Sequence, residues 1–124
     1  MIVNLDRGNG ASFLFVLFIV LMMSFIMDAD AACDDPPVSG VDWNDCDKSG
    51  VDLEEVDLSF SELRRVNLNG ANLKGANFSG ARLMRSTMVG ADVTDTNFDS
   101  AHLSGVVWID GTLCGFYSVG KCGK

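Results

Sequence analysis

The residues equipped for chemistry are few and scattered. Cys33, Cys46, Cys114 and Cys122 are the four thiols of this 124-residue chain, and His102 is its single histidine. Asp45, Asp47 and Ser49 alternate ahead of Gly50, and Arg64, Arg65, Arg82 and Arg85 crowd into one stretch. Alternating oxygen donors before a glycine are how a calcium loop begins. Such a loop needs a bidentate Glu at its twelfth position, where this chain has Val56, and Glu54 and Glu55 arrive too early. Zinc asks for closely spaced Cys or His pairs, and no C-x-x-C pair occurs. With one histidine, a Ser or Cys nucleophile lacks its usual base. No catalytic residue, metal ligand set or cofactor is therefore expected. Asn77-Phe78-Ser79 matches a glycosylation acceptor, which matters only in a eukaryotic secretory route.

The element that must position these residues is a repeat. From Val41 to Gly115 the chain reads in fives: VDWND CDKSG VDLEE VDLSF SELRR VNLNG ANLKG ANFSG ARLMR STMVG ADVTD TNFDS AHLSG VVWID GTLCG. The first position is small in every unit, the second is mostly Asp or Asn, and the third is large and apolar except at Lys48. A helix stripe recurs every 3.6 residues and a strand every 2, so a period of five needs a turn in each unit. Glycine recurs at the fifth position, as in Gly50, Gly70 and Gly90, where a positive φ is required. The solution is a square coil with one side per unit and four units per lap. Residues twenty apart then share a column, so Leu63, Leu83 and Leu103 stack, as do Phe78 and Phe98. Small first-position residues keep the narrow lumen from overfilling. Asp and Asn at the second position are expected to bond corner amides. Asn69, at an outward position, is expected to tolerate replacement.

The A-(D/N)-L-x-x pattern resembles the pentapeptide-repeat family. The resemblance implies an all-β right-handed quadrilateral β-helix, here of just under four coils and about 18 Å long at the spacing of stacked strands. The opening GVDWNDCDKSG and the W-x-D-G-x-x-C ending resemble an exported bacterial branch of that family.

Two different pieces make up the composition of 48% hydrophobic residues and a net charge of −8. Arg7, the uncharged run from Gly8 to Met27 with its FLFVLFIVLMMSFIM, and Ala29-Asp30-Ala31 match the three parts of a secretory signal, with a signal helix removed after Ala31. The alternative is an uncleaved anchor over residues 8–27, long enough to span a membrane with its N-terminus inside. The DAAC sequence ending at Cys33 is similar to a lipoprotein site, but Asp30 stands where Leu belongs. The organisation expected is a signal peptide over 1–31, an N-terminal cap over 32–40, the repeat over 41–115 and a C-terminal cap over 116–124. The mildly acidic mature chain carries no electrostatic footprint for nucleic acid or an anionic membrane.

Four cysteines downstream of an export signal make disulfides the default. The cysteines lie at the two ends of the repeat, whose open lumen and strand edges need covering. Of three connectivities, Cys33 with Cys46 and Cys114 with Cys122 ties each flanking segment to its adjacent lap. Lys48 is expected to snorkel from the first lap toward carbonyls, Asp45 or Asp47, as part of the N-terminal cap. Wrapped on the coil, Arg64, Arg65, Arg82 and Arg85 gather on one side with Glu62 and His102, and Asp52, Glu54, Glu55, Asp92 and Asp95 on the opposite side. These arginines are the candidate binding face. The function expected is an exported, non-enzymatic scaffold or protein-binding module, secreted or periplasmic, that meets a protein or an anionic envelope partner. The alternative is a DNA mimic that binds topoisomerases, as the resemblance allows. The export signal, the short rod and the arginine face weigh against it.

Overall fold

The computed structural model describes residues 31–124. The expected signal helix and the alternative anchor fall within residues 1–30 and lie outside the described residues, and the expected cleavage after Ala31 falls at their edge. After a 3-10 turn over Ala31–Asp34, the segment Cys33–Lys124 forms one compact unit.

Parallel bridges join residues twenty apart through the second position of each unit: Asp42 to Glu62 to Arg82 to His102, Asn67 to Thr87 to Val107, and likewise on the other two sides. Each lap therefore takes four units. Three recurring bonds stitch the laps together. The third-position N–H donates to the second-position carbonyl of the next lap, as Leu53 to Asn72 at 2.8 Å. The fifth-position N–H reaches the fourth-position carbonyl, as Gly50 to Asn69 at 2.8 Å, and the first-position carbonyl accepts from the lap above, as Val51 from Asn72 at 2.9 Å. The pairing holds through Ser86-Thr87-Met88, so the columns stay in register there.

Corners explain the fifth position. Every fifth residue from Gly40 to Gly105 has a positive φ, including Asp45, Glu55, Phe60, Arg65, Arg85, Asp95 and Ser100. A non-glycine residue in that region costs about 1 to 3 kcal/mol, so the lap-to-lap bonding must offset it repeatedly. None of these seven is β-branched, the class for which the conformation is worst. Gly80 is held for a second reason. A Cβ there would lie 2.7 Å from the Phe60 ring, which covers it one lap below.

Inward positions fill the lumen. Leu63, Leu83 and Leu103 are buried in one column, and Phe78 stacks on Phe98 with ring centroids 5.5 Å apart. Alanine or another small residue at the first position lets these layers meet. The two tryptophans mark the ends. Trp43 is buried in the opening unit, its Nε1 donating to the Asp35 carbonyl at 3.1 Å, and Trp108 packs edge-on against Phe98 at 5.4 Å.

The final unit of the sequence pattern does not continue the coil. At the corner due at Asp110, the positive φ falls instead on Gly111, one residue late. The chain then reverses, pairing Leu113 antiparallel to Val107 and Val119 antiparallel to His102. Leu113 is 66% exposed despite its third position. The residues from Gly111 onward thus form the cap, earlier than the expected boundary after Gly115, because the reversal bonds the last lap's exposed ladder. Disulfides tie both flanks down: Cys33 to Cys46 across 13 residues and Cys114 to Cys122 across 8. Two disulfides are the mark of an oxidising compartment. Among the described residues, no helix is long and apolar enough to cross a membrane.

Candidate functional site

With the lumen filled, the outer surface is where chemistry remains, and the second position organises it. In all nine units with Asp or Asn there, its Oδ1 accepts the N–H two residues on, as Asp42 from Asn44 at 3.0 Å and Asn97 from Asp99 at 2.9 Å. This side-chain turn satisfies a fourth-position amide that the ladder leaves out. The carboxylates feel it. Asp47 is held below its ordinary pKa by the Ser49 N–H, and Asp57, Asp92 and Asp110 by the hydroxyls and N–H groups of Ser59, Thr94 and Thr112.

Units without Asp or Asn at that position must find another acceptor. Two borrow one from the lap below. Asn44 Oδ1 accepts the Arg64 N–H at 2.8 Å, where Glu62 occupies the second position, and Asn69 Oδ1 accepts the Val89 N–H at 2.8 Å, where Thr87 does. Asn69 also accepts the Thr87 hydroxyl at 2.6 Å. It is therefore a lap-to-lap connector rather than the replaceable surface residue expected. The sequence carried the signal: Asn44 and Asn69 are the two fourth-position asparagines, each twenty residues before the amide that needs it.

On the arginine side, Arg82 and His102 hold the second position in consecutive laps. Arg82 has no acceptor to offer, the His102 ring makes no such bond among the described residues, and the residues below Met84 and Ser104 are Arg64 and Met84, not asparagine. The N–H groups of Met84 and Ser104 consequently meet no acceptor among the described residues. They stand one lap apart, about 4.8 Å, on the side that carries the guanidinium groups.

Those guanidinium groups are not equivalent. Arg65 makes a two-point contact with Asp45 one lap below, Nη2 to Oδ2 at 2.7 Å, which lowers the Asp45 pKa and raises that of Arg65. Arg82 pairs with Glu62 at 3.1 Å. Arg64 Nε lies 3.5 Å from the same carboxylate but is buried without a hydrogen bond. Arg85 makes no ion pair among the described residues. The structure thus gathers Arg64, Arg65 and Arg85 around Met84 in a cavity of about 230 Å³, and turns Arg82 away to Glu62. On the opposite side, Lys74 sits among the acidic residues, 3.7 Å from Glu54, and Asn72 donates to Asp52 at 3.0 Å.

A second cavity of about 260 Å³, lined by Met84, Arg85, Ser104, Gly105 and Phe116, shares Met84 and Arg85 with the first. A third, of about 240 Å³, continues from Phe116 to Tyr117 and Ser118. Together they form a shallow groove along one corner, basic at one end and aromatic at the other. Phe116 and Tyr117 are 88% and 97% exposed, and the Ser104 hydroxyl anchors this turn by donating to the Phe116 carbonyl.

Lys48 completes the N-terminal cap. Its ammonium reaches the Cys33 carbonyl, not Asp45 or Asp47, and lies 4.1 Å over the Trp43 ring. Asp45 and Asp47 are occupied by Arg65 and Ser49 respectively. Among the described residues no group of three His, Cys, Asp or Glu side chains is placed to hold a metal ion.

Comparison with known proteins agrees with this geometry. The family described as pentapeptide repeats matches residues 38–70 and 67–105, with eight copies. Among solved structures, the chain is similar to HetL, a pentapeptide repeat protein involved in heterocyst differentiation regulation in the cyanobacterium Nostoc sp. strain PCC 7120. That likeness has 26% identity and a TM-score of 0.40 over 58% of this chain and 42% of HetL. It is also similar to a pentapeptide repeat protein of the Arabidopsis thaliana thylakoid lumen, with 22% identity and a TM-score of 0.32 over 56% of this chain and 69% of that one. The chain thus spans less than half the length of HetL. A search of the curated proteins gives no match. The repeat pattern, the twenty-residue lap and the family match together establish that the chain belongs to the pentapeptide repeat family, whose members fold as right-handed β-helices.

Proposed function

We propose that this protein is an exported, non-enzymatic binding scaffold, a rod of just under four coils that works in an oxidising compartment outside the cytosol. The observation that carries the reading is the closure of both ends. Trp43 and Trp108 fill the mouths of a lumen already packed with Leu and Phe, and the two disulfides tie the flanking segments over the end laps. Such a molecule offers outer faces rather than an interior. A stiff rod presents a fixed array of side chains to a partner with little loss of conformational freedom.

Fractionation of expressing cells, followed by N-terminal sequencing and intact-mass measurement, tests the reading. The expected result is a chain recovered outside the cytosol that begins near Ala32 and lacks free thiols. A full-length, reduced chain in the cytosol overturns it, and a full-length chain in the membrane assigns the N-terminal segment to an anchor.

A further inference from the structure

We infer that the groove along the arginine corner is a docking site for an acidic segment of a partner protein that carries an aromatic or other large apolar residue beside its carboxylates. This rests on the binding-scaffold reading and names where the partner sits and what it must carry.

Four features meet in that groove. The first is the pair of N–H donors of Met84 and Ser104, left without acceptors because Arg82 and His102 replace the Asp or Asn that serves nine other units. Unbonded donors one lap apart, on two half-buried residues, suit the oxygens of a carboxylate. The second is charge. Arg85 is unclaimed, whereas Arg65 is committed to Asp45 and both Arg64 and Arg82 lie against Glu62. Guanidinium is the cation best shaped for planar, two-point contact with carboxylate. The third is apolar surface in continuity with the charge, from Met84 to the exposed ring of Phe116. The fourth is composition. Met, Arg, Phe and Tyr are the residues enriched where proteins meet, with aromatic and Arg side chains carrying most of the energy. An anionic sugar polymer would share the carboxylate contact, but it would use the methionine less than a partner side chain would. The groove is therefore assigned to protein.

The missing acceptors also supply the decisive test. Arg82→Asn with His102→Asn would let each unit bond its own fourth-position N–H, as the other nine do. The double variant is expected to melt at a higher temperature than wild type and yet to lose the partner, an outcome that damage to the fold cannot mimic. Binding is read by fluorescence anisotropy of a labelled Gly-Glu-Phe-Glu-Gly peptide, using the protein as recovered from cells with both disulfides formed. Expected results are a Kd at least tenfold weaker for the double variant, for Arg85→Glu and for Phe116→Ser, with no change for Lys74→Gln on the opposite side. A peptide with Gln for Glu is expected to bind at least tenfold more weakly, as is the parent peptide in high salt.

Equal binding of the Glu and Gln peptides overturns the proposal, as does unchanged binding by Arg85→Glu and the double variant. Tighter capture of polygalacturonate than of the peptide, lost in the same variants, also overturns it and assigns the groove to a glycan. If an exported, oxidised protein fails these arms, the groove is wrong and the scaffold reading stands. If the protein proves cytosolic and reduced, the export reading fails while the peptide result is unaffected.

Discussion

Asn69 Oδ1 accepts the Val89 N–H at 2.8 Å from one lap away, supplying the acceptor that Thr87 cannot provide within Val89's own unit. The pair shows that the coil treats each fourth-position amide as a requirement that can be met locally or from the neighbouring lap.

Replacing Asn69 with Ala should destabilise the domain by about 1 kcal/mol, the net worth of a typical hydrogen bond. Asp99→Ala, at an equivalent outward position whose carboxylate makes no hydrogen bond among the described residues, should stay within about 0.5 kcal/mol of wild type. Adding Thr87→Asn to Asn69→Ala should recover most of the loss, because the new side chain can serve Val89 directly. Urea denaturation of the three variants decides this. A double variant no better than Asn69→Ala would remove the acceptor account.

Leu83→Asp or Phe78→Asp should abolish cooperative folding. Both positions are fully buried, and an uncompensated charge there costs several kcal/mol, comparable with the 5 to 15 kcal/mol that holds a small domain together. Melting curves like that of wild type would show the inward register to be wrong.

Reduction of either disulfide should lower the melting temperature, each loop contributing about 2 to 3 kcal/mol. Non-reducing peptide mapping should recover Cys33 linked to Cys46 and Cys114 linked to Cys122, and a peptide joining the two ends would contradict the caps. Lys48→Met should loosen the first cap in particular, since it removes the donor to the Cys33 carbonyl while keeping bulk beside Trp43. Faster reduction of the Cys33–Cys46 bond, with the other bond unchanged, is the expected readout.

Acid should weaken the rod from its outside. Asp45, Asp47, Asp57, Asp92 and Asp110 all have folded pKa values below the ordinary 3.8. Their contribution is therefore complete above the unfolded value and is lost as pH falls through the lowered folded values. Stability should be flat from neutral pH to about pH 5 and should decline below about pH 4. Asp57→Asn keeps an acceptor that does not titrate, so it should flatten that decline. A steeper acid transition in this variant would oppose the assignment.

The five-residue period made the sides, the inward columns and the grouping of Arg64, Arg65 and Arg85 legible, because a fixed lap turns sequence spacing directly into position. What it hid depends on individual partners. Asp45 lies twenty residues before Arg65 and neutralises it, and Glu62 draws Arg82 away from the cluster, so a count of arginines overstated the free charge. Lys48 was placed at the correct end, and of the partners expected for it, carbonyls, Asp45 or Asp47, the structure selects a carbonyl, that of Cys33. The end of the coil was hidden most completely. GTLCG satisfies the repeat in composition, yet the corner slips from Asp110 to Gly111 and the chain reverses. The last lap's pairing groups attract the tail more than they constrain its sequence.

That reversal also bears on how the rod meets its own kind. A parallel coil that simply stopped would leave a row of amides and carbonyls of the spacing another copy presents at its opposite end, an invitation to grow into a fibre. Here Leu113 and Val119 cover two of that lap's four sides, over Val107 and His102, running the other way, and the Cys114–Cys122 bond fastens them in place. Two of the four sides of the solenoid's growing end are thereby closed inside the molecule, so a second copy stacked on this lap would find only the Asp92 and Asn97 sides open to it.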